Sequence, residues 1–354
     1  MTEHRARLVV CMGSGGVGKT TTAAALGLAA ARRGDRVCVV TIDPAKRLAD
    51  ALGVRGELSN EPSLVSSFGS GELWAMMLDA RQTFIDLVTS TTESGEQTER
   101  IMNNALFSSI ARQLGGTQEY MAAEKLFQLH RDDRFDVVIV DTPPSREALN
   151  FLGAPNTLVR FLDHRVYRTF LAPARGGLKL VGAALAPVFK AITRLVGADV
   201  IGDVIGFFAA FEGLDQGFRD RAEAINSVLR DSGTTYLVVT SPETEPIREA
   251  TFLVHELSRQ RIDVGALICN AMTPEFGTPS ATELHDSPRH GEIYRLLAQR
   301  RTRELAKLDE LRTVMPQHVV VATVDLQARD VASLDELTTI SLALEGIASL
   351  GGHE

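Results

Sequence analysis

Cysteine is scarce: Cys11, Cys38 and Cys269 are the three thiols in 354 residues, and no two of them stand at a CxxC spacing. That pattern excludes a disulfide framework and a zinc knuckle, and it suits a reduced, cytosolic chain. A basic excess is lacking as well. With 37 Lys and Arg against 45 Asp and Glu, the net charge is -8, so there is no surplus of cations to track a phosphate backbone. Nucleic acid is not expected as a main partner. Long apolar runs are missing too. The N-terminal run, Leu8 to Met12, gives way to glycine before it is long enough for the core of a signal peptide. In the richest stretch, Leu171 to Leu214, Lys179, Lys190, Arg194, Asp199 and Asp203 intervene before the roughly 18 to 20 uncharged residues that a membrane span needs. No repeat or low-complexity linker divides the sequence. What remains, 44% hydrophobic and 23% charged, is enough for a large core and reads as one polypeptide body over residues 1–354.

Short apolar runs that end in charge or glycine predict buried strands at Leu8–Met12, Arg36–Ile42, Leu73–Leu78, Phe135–Val140, Tyr236–Thr240, Ala266–Cys269 and His318–Val324. Between the first two, Thr20–Arg33 is rich in Ala and Leu, interrupted by Gly27 alone and closed by Gly34, as a helix with small side chains against a sheet would be. Strands alternating with helical material predict an α/β fold with a doubly wound, mostly parallel sheet. Two segments of helical character, about 80–130 and 156–230, exceed what a minimal fold of this kind needs and predict an inserted helical subdomain.

Gly13-Ser14-Gly15-Gly16-Val17-Gly18-Lys19-Thr20 satisfies GxxxxGK[ST] between a predicted strand and a predicted helix. Each piece has a reason: glycines let successive N–H groups turn toward phosphates, the helix N-terminus adds positive dipole, and Lys19 can reach the β- and γ-oxygens. Thr20 is placed to ligate Mg²⁺. Such a loop needs a carboxylate at the end of a neighbouring strand, and Asp141, after FDVVIV, fits. Its plain alternative is to cap the following helix. Asp43, in TIDPAKR, also ends a strand and suits positioning of an attacking water; an ordinary turn aspartate is the alternative there.

GSGGVGKTTT, TIDPAKRLADALG and VVIVDTPPSREALNFL resemble, in order and spacing, the ATPase family of arsenite-pump subunits and tail-anchored-protein targeting factors of the guided-entry pathway. GELWAMMLDARQTF, GTQEYMAAEKL and LAPARGG look closest to its actinobacterial branch, usually labelled anion-transporting ATPase and known in mycobacteria as a pair of paralogues. The resemblance covers nearly the whole chain. It implies a P-loop ATPase, using ATP and Mg²⁺, that dimerises face to face around nucleotide while a helical subdomain opens and closes. By the same resemblance Gly15, Gly16, Val17, Gly18, Lys19, Thr20 and Thr21 form the phosphate loop. Asp43 is then the switch I residue, Asp141 the switch II magnesium carboxylate, and Asn270 the reader of the adenine edge, with a strand-end cap as the alternative for Asn270. The stretch Ala322–Asp325 is a weaker match to the adenine-side loop.

Ser14 departs from the family, whose loop has a lysine at that position to reach across the dimer. A serine brings no charge to a phosphoryl transition state. The chain is therefore expected either to pair with a lysine-bearing paralogue as a heterodimer or, in a homodimer, to draw the charge from Lys46 or Arg47. Neither the zinc CxxC nor the arsenite thiols of some members have counterparts, so no zinc or arsenite site is expected. In Leu171–Leu214, Leu195, Val196, Val200, Val204, Phe207, Phe208 and Phe211 approximate one helical stripe. Ordinary packing explains it, and a groove for a hydrophobic protein client is the other reading. The leading expectation is an ATP-hydrolysing switch. A nucleotide-binding regulatory subunit with little hydrolysis of its own is the alternative, and a partitioning or positioning ATPase, which would use a basic or membrane-binding tail, ranks last because SLGGHE is too short and polar to be an amphipathic anchor.

Overall fold

The computed structural model describes residues 5–43, 47–91, 117–163, 215–277 and 288–349. Its described residues form eight strands in the order β3-β4-β2-β5-β1-β6-β7-β8. The strands are β1 (Arg7–Gly13), β2 (Arg36–Thr41), β3 (Ser63–Phe68), β4 (Gly71–Met77), β5 (Val137–Asp141), β6 (Thr234–Thr240), β7 (Val264–Met272) and β8 (Val320–Asp325). Every pair is parallel except β3 with β4. The seven expected strands are all present, with ends shifted by a few residues. β3 was not expected. Its sequence, SLVSSF, is half serine and largely open to solvent, as an edge strand can be. The readable signal was the Gly69-Ser70 pair, a two-residue turn that folds β3 back on β4.

Ten helices accompany these strands among the described residues: α1 (Lys19–Arg32), α2 (Arg47–Leu52), α3 (Ala80–Thr91), α4 (Thr117–His130), α5 (Ser145–Asp163), α6 (Asp215–Leu229), α7 (Thr244–Arg259), α8 (Pro288–Arg312), α9 (Leu334–Ala343) and α10 (Glu345–Ala348). One apolar cluster joins Ala23, Leu26 and Ala30 of α1 and Leu337 and Ile340 of α9 to the strand residues Val39, Leu73, Ile139, Leu237 and Ile268. Gly27 sits in that contact for a steric reason. A Cβ there would lie 2.5 Å from Val39 Cγ2 and 3.1 Å from Leu73 Cδ1, so only glycine lets α1 approach the sheet this closely. Cys11, Cys38 and Cys269 are fully buried strand residues. Burial pushes the Cys11 thiol well above its ordinary range and, with Glu304 nearby, pushes Cys269 up to about 12, so both stay protonated.

Two compact units divide the chain. The sheet unit takes residues Met1–Leu78, Gln128–Ala148 and Arg230–Glu354, and the helical unit takes Asp79–Phe127 and Leu149–Leu229. The expected stripe in 171–214, Lys46, and residues 92–116 and 164–214 of the two expected helical segments lie outside the described residues. In the helical unit, Leu87, Val88, Met121, Leu126, Phe151, Ala222 and Ile225 are buried. Glu124 is buried with them and accepts from Arg221 through both oxygens, at 2.7 Å for the Nε contact, while the guanidinium lies over the Phe127 ring. Arg221→Ala is expected to destabilise the protein by about 3 kcal/mol, because it strips a buried carboxylate of its guanidinium. Urea unfolding reads the loss, and adding Glu124→Gln should recover part of it.

Candidate functional site

The C-terminal ends of the parallel strands carry the residues that the sequence singles out, as expected for an open α/β sheet. β1 leads into Ser14–Gly18, and α1 begins at Lys19 with Gly18 as its N-cap. Gly18 lies at φ 90°, ψ 27°, a left-handed conformation, which lets the loop turn into the helix. The N-terminal N–H groups of α1 therefore point to the same place as the loop, an arrangement that suits an anion. Lys19 Nζ donates to the Ser14 carbonyl at 2.8 Å across the loop. Burial pulls its pKa down, against the opposing pull of Asp141 and Asp43.

On one side of β1, Asp141 ends β5 in register with Cys11 and with Thr41 of β2. Its Oδ2 accepts from Thr20 Oγ1 at 2.7 Å and from Thr41 Oγ1 at 3.0 Å. Its Oδ1 is buried without a hydrogen-bond partner. Burial raises the pKa of this carboxyl, and the two hydroxyls and Lys19 offset only part of that rise. A buried carboxylate oxygen with no donor, next to a threonine hydroxyl, is a donor set suited to a hard divalent cation such as Mg²⁺. Ser14 Oγ and Ser145 Oγ are likewise buried without partners.

Asp43 stands two residues beyond β2. Its backbone N–H donates to Thr41 Oγ1 at 3.2 Å, and its carboxylate is 3.8 Å from Arg47. Thr41 thus ties Asp43 to Asp141, a role the sequence reading missed; its only signal was a polar residue at a strand end. Arg47 is well exposed at the start of α2.

On the other side of β1, Asn270 lies near the end of β7. Its Nδ2 donates to the Val17 carbonyl at 2.9 Å, which leaves one amide hydrogen and Oδ1 for another partner. Asn270 reaches the phosphate loop because β7 is bulged. Cys269 pairs with Thr323 and Met272 with Asp325, so Asn270 and Ala271 oppose Val324 alone, and Ala271 takes φ 57°. For alanine that conformation is costly. The phosphate loop, Thr20, Asp43, Asp141 and Asn270 are thereby gathered along one edge, while Thr21 continues α1.

The ATPase GET3 of Malassezia globosa is 27% identical over 273 residues, covering 77% of this chain and 74% of its own length. The ATPase GET3A of Arabidopsis thaliana is 29% identical over 271 residues, 76% of this chain and 68% of its own. An ATPase ASNA1 homolog of Babesia bovis is 28% identical over 259 residues, 73% and 64% respectively. The profile of the family described as anion-transporting ATPase matches residues 6–346, and with that span the chain belongs to the anion-transporting ATPase family.

Proposed function

We propose that the chain is a Mg-ATP-dependent switch that hydrolyses ATP to ADP and phosphate, in the cytoplasm, as a dimer with itself or with a paralogous ATPase. The observation that carries this reading is buried Asp141, fixed by Thr20 and Thr41 and left with one unpartnered oxygen in the same site as Lys19. In this reading Thr20 and Asp141 hold Mg²⁺, with Asp43 contributing through water, and the ion supplies positive charge to the phosphate oxygens. Gly15, Gly16, Val17, Gly18 and Thr21 complete the phosphate loop, and Lys19 turns from the Ser14 carbonyl to the β- and γ-phosphates. Asp43 orients the attacking water. Asn270 offers its remaining donor and its acceptor to the adenine edge. The helical unit responds to the switches and engages a hydrophobic protein client, a step supported only by the family resemblance.

The second reading, a regulatory subunit with little hydrolysis of its own, draws on Ser14. This side chain is buried, uncharged and without a hydrogen-bond partner, so it gives no cation to a second site. Arg47 faces Asp43 at 3.8 Å, and of the two local cations, Lys46 and Arg47, it is the one among the described residues. Phosphate release from Mg-ATP by the purified chain, alone and titrated with a lysine-bearing paralogue, separates the two readings. The switch reading expects measurable turnover by the chain alone, whereas the regulatory reading expects little until the paralogue is added, with a mixed dimer then seen by mass in solution. The chain should bind ATP in either reading, and a chain that binds none loses both. Ser14→Lys is expected to raise turnover by about tenfold or more if a trans cation is what the homodimer lacks.

A further inference from the structure

Thr273, just beyond β7, is buried, and all three of its polar groups are held by consecutive turns of α8. Its N–H donates to Glu304 Oε2 at 2.8 Å and its hydroxyl to Glu304 Oε1 at 2.9 Å, while its carbonyl accepts from Arg301 Nη1. Arg301 Nη1 also reaches Asp325 Oδ1 at the end of β8, at 3.1 Å. Arg300 Nε donates to Glu304 Oε1 at 2.7 Å. Burial alone would raise the pKa of Glu304, but the Thr273 N–H, the Arg300 guanidinium and the Thr273 hydroxyl together bring it below the ordinary glutamate value. The acid therefore stays charged, which strengthens its bonds to Thr273.

This bonding is more than the end of a strand requires, since Leu326 N–H already closes the β7–β8 pairing on the Met272 carbonyl at 2.7 Å. It lies two residues beyond Ala271 of the bulge, and that left-handed alanine persists only where its surroundings hold it. The same loop ends carry two exposed apolar side chains, Phe276 after β7 and Leu326 after β8, of the kind that suit the faces of a flat heterocycle.

We propose that Arg301 and Glu304 are positioning residues for the base end of the nucleotide site: by fixing Thr273 they hold the bulge that aims Asn270. The proposal rests on reading Asn270 as the base contact. Neither residue belongs to the phosphate loop or to the Thr20, Asp43 and Asp141 group, so the clamp acts first on recognition of the base, and it reaches the phosphate loop through the Asn270 bond to the Val17 carbonyl.

Calorimetric titration of the full chain with Mg-ATP and with magnesium tripolyphosphate, which has the phosphates and no base, tests this. In Arg301→Gln and Glu304→Gln, ATP affinity is expected to fall about tenfold while tripolyphosphate affinity stays within about twofold. Arg301→Lys, which keeps a cationic donor, should recover part of the loss and serves in place of Arg301→Gln if that variant fails to fold. Equal weakening toward both ligands, or wild-type ATP affinity in both variants, overturns the proposal. Asn270→Ala separates the two layers of the argument. Wild-type ATP affinity in that variant overturns the base-contact reading and the clamp with it, whereas weakened ATP binding there with none in the clamp variants overturns the clamp alone.

Discussion

Asp141→Asn is expected to lower the turnover of Mg-ATP by about a thousandfold and, in the same protein, to raise its stability without nucleotide. The two effects have one cause. Asp141 is buried and its charge is incompletely solvated: Thr20 and Thr41 both bond to Oδ2, and Oδ1 has no donor. Asparagine retains an oxygen to accept both hydroxyls but carries no charge, so it removes the burial penalty together with the cation ligand. The pH dependence follows from the direction of the shift. Since the folded-state pKa is raised, the folded chain keeps its proton where the unfolded chain has lost it. Stability therefore falls as pH rises from the ordinary aspartate range toward the raised value, and below that range the penalty disappears. Relative to wild type, the asparagine variant should gain about 1 kcal/mol near neutral pH, roughly 2 °C in Tm. The gain should shrink as pH falls toward the ordinary aspartate range. Thermal unfolding between pH 5 and 8 and phosphate release at saturating Mg-ATP measure the two effects. Wild-type turnover in the variant would remove Asp141 from the reaction, and a loss of stability at neutral pH would mean that its charge is better compensated than the geometry indicates.

Gly18→Ala is expected to weaken ATP binding by more than about tenfold and to cost about 3 kcal/mol of stability. Two terms add. An L-residue at φ 90° is strained whatever the space around it. The new Cβ would also lie 2.1 Å from Asn270 Nδ2, displacing the amide that donates to Val17. A double-mutant cycle separates the terms. Asn270→Ala removes the collision and leaves the backbone strain, so the double variant should be less destabilised than the sum of the single ones. Strict additivity in urea unfolding would show that Asn270 yields without cost and that strain alone matters.

Much of the turn between β1 and α1 was legible in the sequence because it is local. The glycines, Lys19 and Thr20 are consecutive, and their spacing specifies a strand, a tight turn and a helix N-terminus wherever they occur. Asp43 and Asp141 were legible as polar ends of apolar runs, since a buried parallel strand announces itself by composition and its C-terminal end is where ligands meet an open sheet. β3 was not legible as a strand: with three serines in six residues, it owes its pairing to the turn at Gly69-Ser70 and to β4 beside it. α8 runs from Pro288 to Arg312 and is rich in charge along its length. Its charge run hid the two residues, Arg301 and Glu304, that face inward to Thr273.

By itself the sequence determined that the chain folds as a phosphate loop on a mostly parallel sheet and which carboxylates end the neighbouring strands, because local spacing and burial periodicity govern both. Tertiary structure alone decided the partners: that Thr41 of β2 joins Thr20 on one oxygen of Asp141, that a bulge with a left-handed alanine brings Asn270 against Gly18, and that α8 holds Thr273 just beyond that bulge. Those contacts join residues up to 253 positions apart. Strand order and register create them, and neither is encoded in any single stretch of the chain.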